Sequence, residues 1–192
     1  KDRTLSICKS KKYKSLIKKI FHVSFNSFSK NFLNLIQVTP SSYDYYAFSD
    51  QDDIWKMNKL STAIKKLNKF NLYCSRTTYV SANKKFIGYS PLFLRKPSFE
   101  NAIVQSIAGG NTMVFDKKLF KKFKKEKILN APSYDWILYI FVTIAGMKIY
   151  YDKNSNILYR QHSTNLVGSN TGIYNKIIRL ILVLKGRFKK WN

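Results

Sequence analysis

Two cysteines, Cys8 and Cys74, are all the thiol chemistry this 192-residue chain contains. They lie far apart, with neither a CxxC partner nor a neighbouring His cluster, which excludes a disulfide framework and a zinc site and fits a reducing cytoplasm. Long apolar runs are missing too. None reaches the roughly 18 residues needed to cross a bilayer as a helix, and the opening KDRTLSICKS has neither an initiating Met nor the apolar stretch of a secretory signal. Those residues read as the middle of a domain, so the expectation is a piece of a longer chain. Internal repeats, low-complexity tracts and an obvious linker are likewise lacking. Acidic residues are the last scarcity: 10 Asp and Glu stand against 35 Lys and Arg, a formal net charge of +25.

What the chain has in quantity is apolar and aromatic mass. At 45% hydrophobic, with 14 Phe, 13 Tyr and 3 Trp, it can bury one good core, and a single folded domain is expected. An excess of Lys points first to nucleic acid or an anionic membrane surface, through phosphate neutralisation and counterion release. Here the lysines are spread over nearly every surface, which is the pattern of a solvated face. Patterning alternates between helical and strand-like periods. RTLSICKSKKYKS is weakly helical, IKKIFHVSFN reads as a short strand, KNFLNLIQ as a helix ended by Pro40, and YDYYAFS as a buried strand. Met57, Leu60, Ile64, Leu67 and Phe70 describe one face of a helix. LYCSRTTYV is a strand, FENAIVQSI a short helix, and NTMVFD a strand entered through Gly109 and Gly110. YDWILYIFVTIAG is a mostly buried helix closed by Gly146, and the strands MKIYY and NILYR follow. One α/β domain fits this order.

Against that basic background, FSDQDDIW places Asp50, Asp52 and Asp53 within four positions, where a strand ends and a helix begins. In open α/β sheets, ligands bind beyond the C-terminal ends of strands, because loops converge there and helix N-termini point outward. Two carboxylates separated by one residue can face one side of such a turn and hold a divalent cation, with phosphate oxygens and water filling the remaining positions. The alternative is an acidic helix start, with Asp53 capping the Met57 helix and Asp52 favouring its positive end. That alternative does not use Asp50.

Four segments, YDYYAFSDQDDIWKMNKL, IAGGNTMVFDKKL, YDWILYIFVTIAGMKIYYD and LYRQHSTNLVGSN, resemble in order and spacing the bacterial glycosyltransferase family 2 proteins, in the branch that builds O-antigen, capsule or rhamnose-containing polysaccharides. The resemblance runs from about Lys1 to Asn170 and implies an α/β GT-A-like nucleotide-sugar transferase sandwich with a central mixed sheet over residues 1–170. It also implies inverting sugar transfer from a nucleotide-diphosphate donor to a saccharide or lipid-linked acceptor. Asp50 and Asp52 then resemble the family's DxD pair, with Asp52 the first choice of direct ligand for Mg²⁺ or Mn²⁺ and Gln51 and Asp53 beside them. Asp135 resembles the Asp of a His-Asp-Trp motif and stands as the base that takes the acceptor's hydroxyl proton. Tyr134 occupies the place where His is common, and the bland reading of Asp135 is a helix N-terminal acid satisfied by backbone N–H groups.

His162 completes the metal shell or touches the diphosphate on this reading, and Arg160 and Gln161 bring donors toward phosphate. His22 has no such context and reads as structural. Gly109, Gly110 and Asn111 lie beside donor or acceptor sugar in the family reading, whereas the plain reading is a tight turn needing positive φ. Trp55, Trp136 and Tyr151 are candidates to stack on a sugar, although aromatics in apolar runs more often join the core.

KDRT at residues 1–4 resembles the end of the family's nucleotide-binding segment, so the upstream half of that pocket is expected outside this chain, leaving an N-terminally truncated sheet and slow or absent transfer. Residues 171–192 have the pattern of a basic amphipathic helix, suited to peripheral association with anionic lipid at the inner face of a plasma membrane or to packing on the domain. The rival class is a basic binding module without catalysis, for nucleic acid or an anionic membrane surface. A phosphate-backbone binder has no use for three aspartates in one turn, and no nucleic-acid partner is expected.

Overall fold

A computed structural model describes residues 3–21 and 25–161 of the chain. Alternation along its strands shows how the layers form. In β3 (Leu72–Ser81), Leu72 and Cys74 point into one hydrophobic cluster and Tyr73 into another on the opposite face. In β5 (Val114–Asp116), Phe115 and Val114 divide in the same way. A strand that buries both faces needs cover on both sides, and it gets it. The larger cluster is closed by Leu33 and Ile36 of α3 (Phe28–Val38), Leu119, Phe120 and Phe123 of α6 (Lys117–Lys125), and Leu138, Tyr139 and Val142 of α7 (Tyr134–Ile144). The smaller is closed by Ala63 and Leu67 of α4 (Lys59–Leu67). A fully buried Leu, Ile, Val or Phe side chain among these is worth about 1.5–3 kcal/mol.

Among the described residues the sheet has six strands. β1 (Tyr45–Ala47), β5, β3, β6 (Ile149–Gln161) and β2 (Ile54–Trp55) lie in that order, and β4 (Phe86–Tyr89) also pairs with β3. β3 and β6 are parallel and every other pair is antiparallel. This mixed α/β sandwich is the class the resemblance implies, a curled mixed sheet compatible with a GT-A-like fold. Helices α1 (Thr4–Lys9), α2 (Lys11–Lys14) and α5 (Phe99–Ala102) complete the described elements. None of the described helices is long and apolar enough to cross a membrane.

Local signals explain most boundaries. Asp116 starts α6 by accepting the Leu119 N–H at 2.7 Å on Oδ1, while its Oδ2 accepts from Asn71 at 2.7 Å. Gly146, at φ +62°, ends α7, where Met147 N–H reaches back to the Val142 carbonyl and Gly146 N–H to that of Thr143. Phe48 follows β1 and is buried, with its ring 4.9 Å from Tyr134, 5.2 Å from Phe115 and 5.5 Å from Phe32 between centroids. This aromatic anchor sets where the acidic turn begins.

Several expectations need correction. IKKIFHVSFN forms no strand in its described residues, 17–21, 25 and 26; His22 falls outside them. YDYYAFS contributes only a three-residue edge strand whose Tyr45 and Ala47 are exposed. The α4 stripe is rotated: Met57 precedes the helix and is fully exposed, Leu60 is exposed, and Lys59, Ala63 and Leu67 form the buried row. NTMVFD begins as a 3₁₀ turn, Gly110–Thr112, before the short β5. MKIYY and NILYR are one continuous strand, β6, whose polar middle is accommodated by register shifts against Ser75–Thr78. There Tyr73 Oη donates to Asp152 at 2.9 Å and accepts from Asn156 at 2.6 Å, so the buried polar groups satisfy one another. His162 and the expected helix at 171–192 lie outside the described residues.

Candidate active site

The acidic turn connects two edges of the sheet. The chain leaves β1 at Ala47, buries Phe48, turns through Gln51 and Asp52, and rejoins the sheet as β2 against Leu158 and Ile157 of β6. Gln51 is exposed, whereas Asp50, Asp52 and Asp53 are half-buried. Asp53 accepts a short hydrogen bond from the Asn111 side-chain amide. Arg160 of β6 donates from Nε to the Asp52 carbonyl at 2.9 Å. The turn is thus tied to β6 on one side and to the Gly-Gly-Asn turn on the other.

Asp53 does not cap α4. The position before that helix belongs to Asn58, which makes no capping side-chain bond. Nor do Gly109 and Gly110 need positive φ; among the described glycines only Gly146 has it. Their requirement is close approach. A Cβ on Gly110 would sit 2.5 Å from Tyr134 Cε2 and Cζ, and one on Gly109 would sit 2.8 Å from Asn111 Oδ1.

Asp135 belongs to this same place. It lies in the first turn of α7, where its carboxylate accepts from Ser133 Oγ, from Trp136 N–H at 2.8 Å and from the Gly110 N–H at 2.8 Å. Two backbone donors therefore satisfy it as a helix-start acid, and the Gly110 bond aims it across to the turn that holds Asp53. Tyr134 is buried, stacked on Phe32 at 4.1 Å.

Asp50 feels the charge of the other three carboxylates. Burial, and then the charges of Asp53, Asp52 and Asp135, push Asp50 up to about 6, with Lys59 opposing. Burial also raises Asp53, against the lowering effect of its Asn111 bond. Burial, then Asp50 and Asp135, raises the Tyr134 phenol.

Lys59 joins the site although no motif in the sequence marks it. It is 1% exposed, its Nζ lies 2.5 Å from the Asn111 carbonyl oxygen, and it sits 3.6 Å from the centre of the Trp55 ring. Burial pushes it down to about 8, opposed by Asp53 and Asp50. The signal in the sequence was the spacing of Trp55 and Lys59, together with Ala63 four residues beyond Lys59.

The aromatic candidates have protein partners of their own. Trp55 presents its face to Lys59, and Trp136 donates from Nε1 to the Ala102 carbonyl at 2.6 Å. Tyr151 donates to the Pro91 carbonyl at 3.3 Å and meets Phe93 edge-on.

Among the described residues, four buried side-chain atoms have no hydrogen-bond partner, and three belong here: Asp53 Oδ1, Trp55 Nε1 and Gln161 Nε2. Such groups cost free energy unless something satisfies them, and Asp53 Oδ1 is the one that lies in the acidic turn itself. Asp53 Oδ1 and the crowded carboxylates are hard oxygen donors that suit Mg²⁺ or Mn²⁺. Among the described residues, no group of three or more His, Cys, Asp or Glu is close enough to hold a metal alone. A cation placed here would take one or two of these carboxylates and its other ligands from elsewhere. A cavity of about 380 Å³ opens elsewhere, beside Asn71, Asp116, Lys118 and Lys148 at the opposite end of β3, and it contains none of these carboxylates.

No family model matches the chain. It is 34% identical over 203 residues to the dTDP-rhamnosyl transferase RfbG of Shigella flexneri, an alignment covering 98% of this chain and 69% of that protein. It is also 21% identical over 128 residues to the succinoglycan biosynthesis protein ExoW of Rhizobium meliloti (strain 1021), covering 57% of this chain and 40% of that protein.

Proposed function

We propose, of a chain that belongs to the rhamnosyltransferase-like branch of bacterial glycosyltransferase family 2, that it carries the site for inverting transfer of a sugar from a nucleotide-diphosphate donor to a saccharide or lipid-linked acceptor in cell-surface polysaccharide synthesis. The observation that carries this reading is that one turn hydrogen-bonds both Asp135 and Asp53, through Gly110 and Asn111, so that acids from two distant segments of a strongly basic chain repel one another at one place. A stable fold gains nothing from such repulsion, and a cation with a diphosphate relieves it.

In this reading Asp52, with Asp50 beside it, holds Mg²⁺ or Mn²⁺, whose chemistry is Lewis-acid stabilisation of charge on the departing diphosphate. Asp53 and Asn111 set the position of the turn. Asp135 takes the proton from the acceptor hydroxyl as that oxygen bonds to the anomeric carbon and the sugar–diphosphate bond breaks on the opposite face, which inverts the centre. Gly110 N–H holds the receiving carboxylate in place. Arg160, through Nε, braces the backbone of Asp52. The relative acting on a dTDP-rhamnosyl donor makes deoxythymidine-diphosphate sugars the first class to test.

Incubation with a panel of nucleotide-diphosphate sugars, with Mn²⁺ or with chelator, tests the proposal through nucleoside-diphosphate release and the anomeric configuration of the product. Metal-dependent release with an inverted product is expected. Release that is indifferent to chelator, or a retained configuration, overturns it.

A further inference from the structure

We infer that Lys59 is a positioning residue for the transfer, the buried cation that holds the Gly-Gly-Asn turn and through it sets Asp53 and Asp135 relative to one another; this rests on the function proposed above. A lysine withdrawn from water to 1% exposure is costly unless it has fixed partners. Lys59 has two, the Asn111 carbonyl at 2.5 Å and the Trp55 ring at 3.6 Å. Neither is a carboxylate, so the lysine is not spent on an ion pair with the acids beside it.

The three bonds of the turn explain what this arrangement does. Gly110 offers its N–H to Asp135 at 2.8 Å. Asn111 gives its side-chain amide to Asp53 and its carbonyl to Lys59. Two adjacent residues therefore touch the candidate base, the acidic turn and the buried ammonium. A rotation of the Asn111 peptide would release the Lys59 bond and displace the neighbouring Gly110 and Asn111 donors. Lys59 opposes that rotation from the first position of α4, a helix seated on the sheet by Ala63 and Leu67. Trp55 stops the side chain from swinging away. Misplacement of catalytic groups by about 1 Å costs about 10²-fold in rate.

The test compares Lys59→Met with the parent chain in two readouts. Amide hydrogen exchange at Gly110–Thr112 is expected to speed up by about tenfold, with β3 and β6 unchanged. Transfer from the nucleotide-sugar is expected to lose ~10–100-fold in kcat with the donor KM held within about threefold, and Lys59→Met combined with Asn111→Ala is expected to be no slower than the worse single variant. Lys59→Arg, which keeps a donor and a cation, is expected between Met and Lys. Where Lys59→Met does not fold, Lys59→Gln, which removes the cation and cannot reach as far, carries the test, and wild-type kcat with wild-type exchange in that variant overturns the inference. So do unchanged exchange and kcat in Lys59→Met, or losses that multiply in the double variant. Where the parent chain shows no transfer, as a nucleotide pocket reaching beyond this chain implies, the exchange measurement decides Lys59 alone, local deprotection supporting its role and unchanged protection refuting it.

Discussion

The backbone N–H of Gly110 donates to Asp135 Oδ2 at 2.8 Å, joining a turn between sheet strands to the first turn of α7. Because the next residue, Asn111, donates to Asp53, this bond makes the distance between the two groups of carboxylates a property of one short 3₁₀ turn.

Asp135→Asn keeps an acceptor for Gly110 and removes the carboxylate proposed to take the acceptor's proton. The variant is expected to fold normally and lose about 10²–10⁴-fold in kcat, the range for a removed general base. Steady-state kinetics alongside a thermal melt checks this. A large fall in Tm with kcat per folded molecule unchanged would mark Asp135 as a helix-start acid only.

Asp50 makes stability depend on pH in an unusual direction. Its folded value of about 6 lies above the ordinary carboxylate value, so the folded chain keeps a proton that the unfolded chain has already released. The stability this contributes is present in full below about pH 4 and is lost as pH rises through about 6. Asp52, Asp53 and Asp135 reinforce the effect and Lys59 opposes it. The depressed Lys59, at about 8 against 10.5, acts only above that window, where it makes stability rise with pH. In metal-free buffer, the Tm of the wild type minus that of Asp50→Asn is expected to fall between pH 4 and pH 7. A constant or rising difference would contradict the burial of Asp50 and its crowding by the other carboxylates.

Gly110→Ala places a methyl group against Tyr134, which Phe32, Phe28 and Phe48 hold in place. A loss of about 1–3 kcal/mol is expected, the usual cost of overpacking. Gly88→Ala, in β4 with open space around it, is expected to change stability by less than about 0.5 kcal/mol. Urea midpoints of the two variants compare them directly; equal effects would show that the contact with Tyr134 does not constrain the turn.

The parts of the fold that were legible in the sequence are those whose signals are local. The buried α7 with its Gly146 stop, the strand Leu72–Ser81 and the acidic turn all declared themselves through runs and punctuation within a few residues. Long-range pairing was not legible. Asp53 resembled a helix cap because its true partner, Asn111, lies 58 residues away. Lys59 resembled a solvated lysine because only the folded chain brings the Asn111 carbonyl and the Trp55 face together around it. Asp152 to Asn156 resembled a turn between two strands, since nothing local reveals that the Tyr73 hydroxyl will satisfy them inside one continuous strand.

Calorimetric titration of deoxythymidine diphosphate into the chain, with Mn²⁺ and with chelator, in the wild type and in Asp52→Ala, tests the central claim most directly. Binding that requires Mn²⁺ and weakens ~10-fold or more in Asp52→Ala is the predicted result. Binding of equal strength without Mn²⁺ and in Asp52→Ala, weakening only as salt is raised, would contradict it and leave a basic surface that binds phosphate by charge.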